Sequence, residues 1–341
     1  MAPRRCRVQP RQIYSFALAE AAGWSGPATE AVDHGLAFFL SKYRRPDGLF
    51  RASVAPDGAP VDERTVLYDQ AFALLGLYGG YCVTGRAELA DQAKSLLECI
   101  LQHFKHQPIG FREDDGAPFQ SNAQMHLFEA CIAWSPVLGG AFARTADELG
   151  DLCLERLIDA ERGCIDEYYD ADWRPAGINA DAPQRRVEPG HQFEWAWLLA
   201  QWGRMRGRDT TAVVRRLFEI GEASVQSGID AAPAATTPDG ALAEPIARLW
   251  PQTERLRTAA WLAATAADDR DTFARAACSA ARCVFGYLDM PMAGLWRDKL
   301  RGDGSFVDEA APASSLYHLA TAITALKSLV ADSATASDEM A

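Results

Sequence analysis

The sequence predicts an all-α protein built from paired helices. Three observations carry this: apolar residues recur mostly at i, i+3, i+4 and i+7, convincing period-2 alternation is scarce, and the connections alternate between short and long. In chain order, helices are expected at about 9–22 and 27–44, and the first long polar connection then runs from Arg45 to Asp62. The pair 63–84 and 87–103 ends at His106 to Gln120, and the pair 122–135 and 140–160 ends at Gly163 to Glu188. The pair 191–206 and 210–226 leads into Gly228 to Pro245, and 252–266 with 270–287 leads into Met290 to Pro312. A last helix covers 314–330, and the Ser/Ala/Asp-rich tail 332–341 is expected to fray.

Short loops join the two helices of a hairpin, and long loops rich in Gly, Pro and Asp follow each pair. Long loops gathered at one end of a helical scaffold commonly build a site. A helical hairpin repeated until it closes as an α/α toroid over residues 1–331, a single domain, fits best. No fixed-period repeat supports the rival α-solenoid.

The chain has 34 basic against 46 acidic side chains in 341 residues, a net charge of −12 that repels phosphate backbones. Nucleic acid is therefore not an expected partner, and neither is a polybasic attachment to membranes. No run of about 18 apolar residues occurs. The basic start, Arg4, Arg5 and Arg7, is followed by Gln9, Arg11 and Gln12 rather than an apolar leader segment, so a cytoplasmic chain is expected. The eight cysteines form no C-x-x-C pair, and they read as buried thiols rather than as disulfides or zinc ligands.

Six histidines can be weighed singly. His34, His103 and His106 read as solvated or helix-capping residues. His126, His191 and His318 share another setting, each in the first turns of a helix that follows a long polar loop. A helix N-terminus carries partial positive charge, which keeps an imidazole neutral, and a neutral imidazole suits the removal of a C–H proton. His191 and Glu194 lie three residues apart, a spacing that lets the carboxylate hold the ring tautomer or, alternatively, forms a helix-face ion pair. H-E-x-x-H spacing is absent, so no metal is expected.

At other helix starts stand Tyr68, Asp69 and Gln70, and the run Arg248-Leu249-Trp250-Pro251-Gln252-Thr253-Glu254. A flat indole beside hydrogen-bonding groups suits a pyranose face, although a single buried Tyr or Trp is just as well explained by packing. Their repeated placement at helix starts points to a sugar.

Together these segments resemble the N-acylglucosamine 2-epimerase family, which includes cellobiose 2-epimerases, mannose isomerases and sulfoquinovose isomerases. The resemblance rests on Tyr68 to Phe72, Asn122 to His126 with Glu129, Glu188 to His191 with Glu194 and Trp195, Arg248 to Glu254, and Ser314 to His318. It implies an (α/α)6 barrel and cofactor-free proton transfer at C1/C2 of an unblocked reducing monosaccharide. By resemblance His318 and His191 form the acid/base pair on opposite faces of C2, Glu194 supports His191, and His126 assists near O1 or O5. Arg11, Asn122 and Trp250 bind sugar in this reading, and Tyr68, Asp69, Glu188, Arg248 and Glu254 join them as candidate substrate-binding residues. A homodimer is a family expectation. The family's barrel has twelve helices against eleven counted here, so a first helix is expected to be lacking. Ala313 stands where disaccharide-acting relatives carry an aromatic platform, which favours a monosaccharide such as mannose.

Two other readings stay open. A carbohydrate hydrolase on the same scaffold would use paired carboxylates, Asp69 with Glu188 or Glu194. A non-catalytic barrel would bind sugar only. An anionic sugar would draw on Arg64, Arg185, Arg186, Arg248 or Arg257 unless these pair with acids.

Overall fold

The computed structural model describes residues 3–113, 119–178, 184–266 and 268–338 of the chain, with side chains described as far as 331. It divides into two compact units: Met1–Ile158 with Glu167–Pro183, and Asp159–Asp166 with Gln184–Ala341.

In the first unit lie α1 (Val8–Ala21), α2 (Ala28–Lys42), α3 (Leu67–Thr84), α4 (Ala87–His103), α5 (Ser121–Leu138) and α6 (Gly140–Leu152), the last ending in a π-helical turn, Cys153–Leu157. The second unit holds α7 (Pro189–Arg206), α8 (Thr211–Ala223), α9 (Leu249–Thr265), α10 (Arg270–Leu288) and α11 (Leu316–Asp338). Among the described residues this makes eleven α-helices, each within a few residues of its expected range. Within the expected tail, the backbone of 332–338 continues α11; the side chains there, and residues 339–341, lie outside the described part.

Two kinds of helix alternate. In α3, α5, α7 and α9 nearly every position of the first three turns is buried, polar residues included, as befits helices covered on all sides. In α4 only one stripe is buried (Leu89, Ala90, Ala93, Leu96, Leu97, Ile100), and in α8 only Val214, Leu217, Phe218 and Gly221. Their ends follow local chemistry. Pro189 opens α7 at a position where its missing N–H costs nothing, and Gly207 closes it at φ 65°, a left-handed conformation that glycine adopts without strain.

The long connections are more ordered than their composition suggests. Short antiparallel strands fold them into hairpins: β2 (Ser53–Val54) with β3 (Pro60–Asp62), β4 (Tyr168–Tyr169) with β5 (Pro175–Ala176), and β6 (Ala235–Thr236) with β7 (Leu242–Glu244). β1 (Arg4–Arg5) adds to β2, and β8 (Ala247–Arg248) pairs with β9 (Lys299–Leu300). Two hairpins turn on the same four residues, Pro56-Asp57-Gly58-Ala59 and Pro238-Asp239-Gly240-Ala241, with Gly58 at φ 90° and Gly240 at φ 85°.

A second recurring device ties these loops to the buried helices. Gln70 of α3 accepts from Phe50 N (2.8 Å) and donates to Phe50 O (2.9 Å). Gln124 of α5 does the same to Phe111, Gln192 of α7 to Ile165, and Gln252 of α9 to Ala232. Each glutamine is fully buried and stands four residues after its helix's N-cap. A Gln252→Leu substitution strands the buried N–H and C=O of Ala232; we expect a loss of about 2–4 kcal/mol in denaturant unfolding, from orphaned polar groups rather than lost volume.

The thiols depart from expectation. Cys6, Cys131, Cys153 and Cys164 are buried, but Cys82 and Cys278 are exposed and Cys99 and Cys283 intermediate, because these four lie on the less covered sides of α3, α4 and α10. His34 and His103 are exposed as expected, and His103 Nδ1 lies 2.8 Å from the carbonyl of Cys99 near the end of α4; His106 is half-buried, its Nε2 2.8 Å from the carbonyl of Ala171.

Candidate active site

The second unit brings together the first turns of α7, α9 and α11. α9 packs against both α7 and α11, and Thr258 Oγ1 of α9 donates to Phe193 O of α7 (3.0 Å). The indole of Trp250, in the first turn of α9, lies 5.0 Å from the His191 ring and 5.4 Å from the His318 ring, centroid to centroid. One indole therefore neighbours both histidines. Gly190 makes this possible, since a Cβ there would stand 2.4 Å from the Trp250 ring. The glycine before His191 is the site where the indole meets the backbone of α7.

Each histidine faces a carboxylate through Nδ1. His318 Nδ1 is hydrogen-bonded to Glu254 Oε1 at 2.8 Å, and His191 Nδ1 lies 3.7 Å from Glu188 Oε2. An Nδ1 proton held by a carboxylate leaves the lone pair of a neutral ring on Nε2, the nitrogen suited to accept a proton from carbon. The sequence pairs His191 with Glu194. The Glu194 carboxylate stands in a buried cluster in which it, Glu254 and His318 each place one nitrogen or oxygen within 4.8 Å of the others.

Arg257 completes that cluster. Its guanidinium is ion-paired with Glu254, one helical turn away, and lies 3.8 Å from Glu194 Oε1. Glu194 and Glu254 are wholly buried, and Arg257 is 2% exposed. Two carboxylates against one guanidinium leave one negative charge, which favours the imidazolium form of His318 once it has taken up a proton. The same three groups have ligand atoms for a cation, and the guanidinium beside them supplies part of the neutralising charge there.

In the first unit, side chains gather at the starts of α1, α3 and α5. His126 Nδ1 lies 3.1 Å from Glu129 Oε2, and its ring packs against Tyr68 (5.1 Å) and Phe72 (4.5 Å). Arg11 Nη2 donates to the Tyr68 hydroxyl at 2.5 Å while its guanidinium lies 3.9 Å above the Phe72 ring. Asp69 is fully buried, with Arg7 Nε 3.0 Å from its Oδ1. Burial pushes the Asp69 carboxyl up to about 6, against the opposing pull of Arg7. Asn122 Oδ1 is buried and takes no hydrogen-bond partner among the described residues, an acceptor without a donor.

Of the residues expected to touch sugar, Asp69 and Glu254 are therefore wholly buried and engaged with protein, while Tyr68, Asn122, Glu188 and Arg248 are half-buried. The arginines weighed for an anionic sugar all meet carboxylates: Arg64 with Asp62, Arg185 with Asp166 and Asp159, Arg186 with Glu188 and Glu244, Arg248 with Asp298, and Arg257 with Glu254. The sequence reading missed Glu129 as a partner of His126 and Arg257 as a partner of Glu254. Both were signalled by i, i+3 spacing, as at His191 and Glu194.

Comparison with known proteins identifies the family and the fold. The N-acylglucosamine 2-epimerase (GlcNAc 2-epimerase) family matches over residues 1–322. A Rhizobium meliloti (strain 1021) protein named mannose-6-phosphate isomerase is 43% identical over 334 residues, which cover 95% of this chain and 86% of that protein. Among solved structures, a D-mannose isomerase superposes with a TM-score of 0.86 at 20% identity, covering 96% of this chain and 88% of that one. Cellobiose 2-epimerase from Spirochaeta thermophila DSM 6192 gives 0.85 at 18% identity, covering 97% and 87%. These likenesses show the fold, an all-α (α/α)6 barrel. No described helix is long and apolar enough to cross a membrane. The chain belongs to the N-acylglucosamine 2-epimerase family and is an isomerase of the sugar isomerase and 2-epimerase class.

Proposed function

We propose that the chain interconverts aldose and ketose at C1/C2 of an unblocked mannose-type monosaccharide by histidine-mediated proton transfer. The observation that carries this reading is the pair of histidines on one indole, each facing a carboxylate through Nδ1. Nε2 of one histidine removes the C2 proton and an enediol(ate) forms. Return of the proton to C1 gives the ketose, and delivery to C2 from the opposite face gives the 2-epimer. Glu254 and Glu188 keep the tautomer and stabilise the imidazolium, while Arg257 and Glu194 set the charge around His318. Trp250 offers its face to the sugar ring, and Arg248 offers hydrogen bonds beside it.

For the first unit, family resemblance supports Arg11, Asn122 and His126 as sugar-contacting groups, and Tyr68 joins them by its place at the start of α3, while Asp69 holds Arg7. The orphan acceptor on Asn122 is the observation that favours this. A glycosidase reading is weaker: Asp69 and Glu194 are fully buried and ion-paired, whereas the carboxyls of such an enzyme must meet the scissile bond. A 6-phosphorylated mannose is the second reading of the substrate, favoured by the name of the Rhizobium relative, while the carboxylate-paired arginines favour a neutral sugar. Proton NMR in heavy water, with mannose, glucose, N-acetylmannosamine and mannose 6-phosphate, decides: loss of the C2–H signal of at least one sugar is expected, and no exchange in any would refute the proposal.

A further inference from the structure

Asp298 is a carboxylate with a single side-chain partner. It is 2% exposed, its Oδ2 accepts from Arg248 Nε at 3.1 Å, and its Oδ1 is buried with no hydrogen-bond partner among the described residues. Arg248, by contrast, keeps 37% of its side chain exposed and is held through Nε, so Nη1 and Nη2 take no partner among the described residues. Burying a carboxylate is costly, and an ion pair to a half-exposed arginine recovers little of that cost as stability. The arrangement makes sense where the position of the guanidinium matters.

The backbone repeats the connection. Leu249 N donates to Asp298 O (2.9 Å), and Arg248 stands opposite Lys299 in the β8–β9 pair. Two residues before Asp298, Trp296 Nε1 donates to Ser315 Oγ (2.9 Å), just ahead of α11. The segment 296–298 thus fastens the start of α9, with Arg248 and Trp250, and the start of α11, with His318.

We propose that Asp298 is a positioning residue: it fixes Arg248 by Nε so that both Nη groups stay available to the sugar oxygens at the Trp250 face. This rests on the isomerase reading given above. The test is a double-mutant cycle on the full chain, with D-mannose or whichever sugar of the panel the unmodified protein turns over. Asp298→Ala should raise KM about tenfold, the loss of one charge-assisted hydrogen bond to substrate, with kcat nearly unchanged. Asp298→Asn, which keeps an oxygen for Nε, should recover much of that. In an Arg248→Gln background neither change should raise KM further. If Asp298→Ala does not fold, Asp298→Ser, which withdraws the carboxylate from Arg248 Nε, takes its place in the cycle with the same expected rise in KM. KM effects that multiply across the pair, or a lowered Tm with KM unchanged, would overturn the role of Asp298. A wild-type chain that turns over no sugar defeats the isomerase reading, and the role of Asp298 falls with it.

Discussion

A His318→Gln variant is expected to fold and to lose between about 10²- and 10⁴-fold in kcat, the usual contribution of a positioned general acid or base, with KM changed by only a few-fold. Glutamine keeps a polar group beside Glu254 and Trp250 but cannot exchange a proton. His191→Gln should act in the same way, because its ring lies on the same indole and faces its own carboxylate. Glu254→Gln should be milder, since it removes the charge that supports His318 and leaves the ring in place. Steady-state kinetics with the turned-over sugar checks this series. A His318→Gln variant that retains full kcat contradicts the assignment.

The largest expected effect on stability is at Arg257. Replacing it with Met removes the guanidinium from two fully buried carboxylates, and breaking a buried pair from one side costs about 3–5 kcal/mol. Because neither partner is exposed, solvent screening offers no relief. Denaturant unfolding should show the loss, and activity should fall with it, since Glu254 then has a different charge environment when it meets His318. An unchanged unfolding midpoint would mean that the Glu194–Glu254–His318 cluster does not depend on Arg257.

The helices were legible because each writes its own period into the chain: α4 and α8 show a single apolar stripe, and α3 and α7 end at glycines. The shared placement of His126, His191 and His318 was legible for a related reason, since each follows a long polar loop at a helix start. The hairpins were not, because strands of two or three residues are too short to show alternation. Their trace was the Pro-Asp-Gly-Ala sequence, which occurs twice. The glutamine clamps escaped because loops of different length separate Gln70, Gln124, Gln192 and Gln252, so no fixed period marks the repeat. Partners distant in sequence were the least legible: Glu254 is 64 residues from His318, and Asp298 is 50 from Arg248. Nothing local in the chain could show that Glu254 belongs to His318 rather than to the sugar.

The central claim is that protein histidines move the C2 proton, and the fate of that hydrogen tests it most directly. Mannose or mannose 6-phosphate, whichever is turned over, would be incubated with the full chain in heavy water and a chelator, and the ketose examined by NMR. Our account predicts solvent deuterium at C1 of the ketose and, on reversal, at C2 of the aldose, with both lost in His191→Gln and His318→Gln. A ketose whose C1 hydrogens come wholly from the substrate, formed only when a divalent ion is restored, would contradict it.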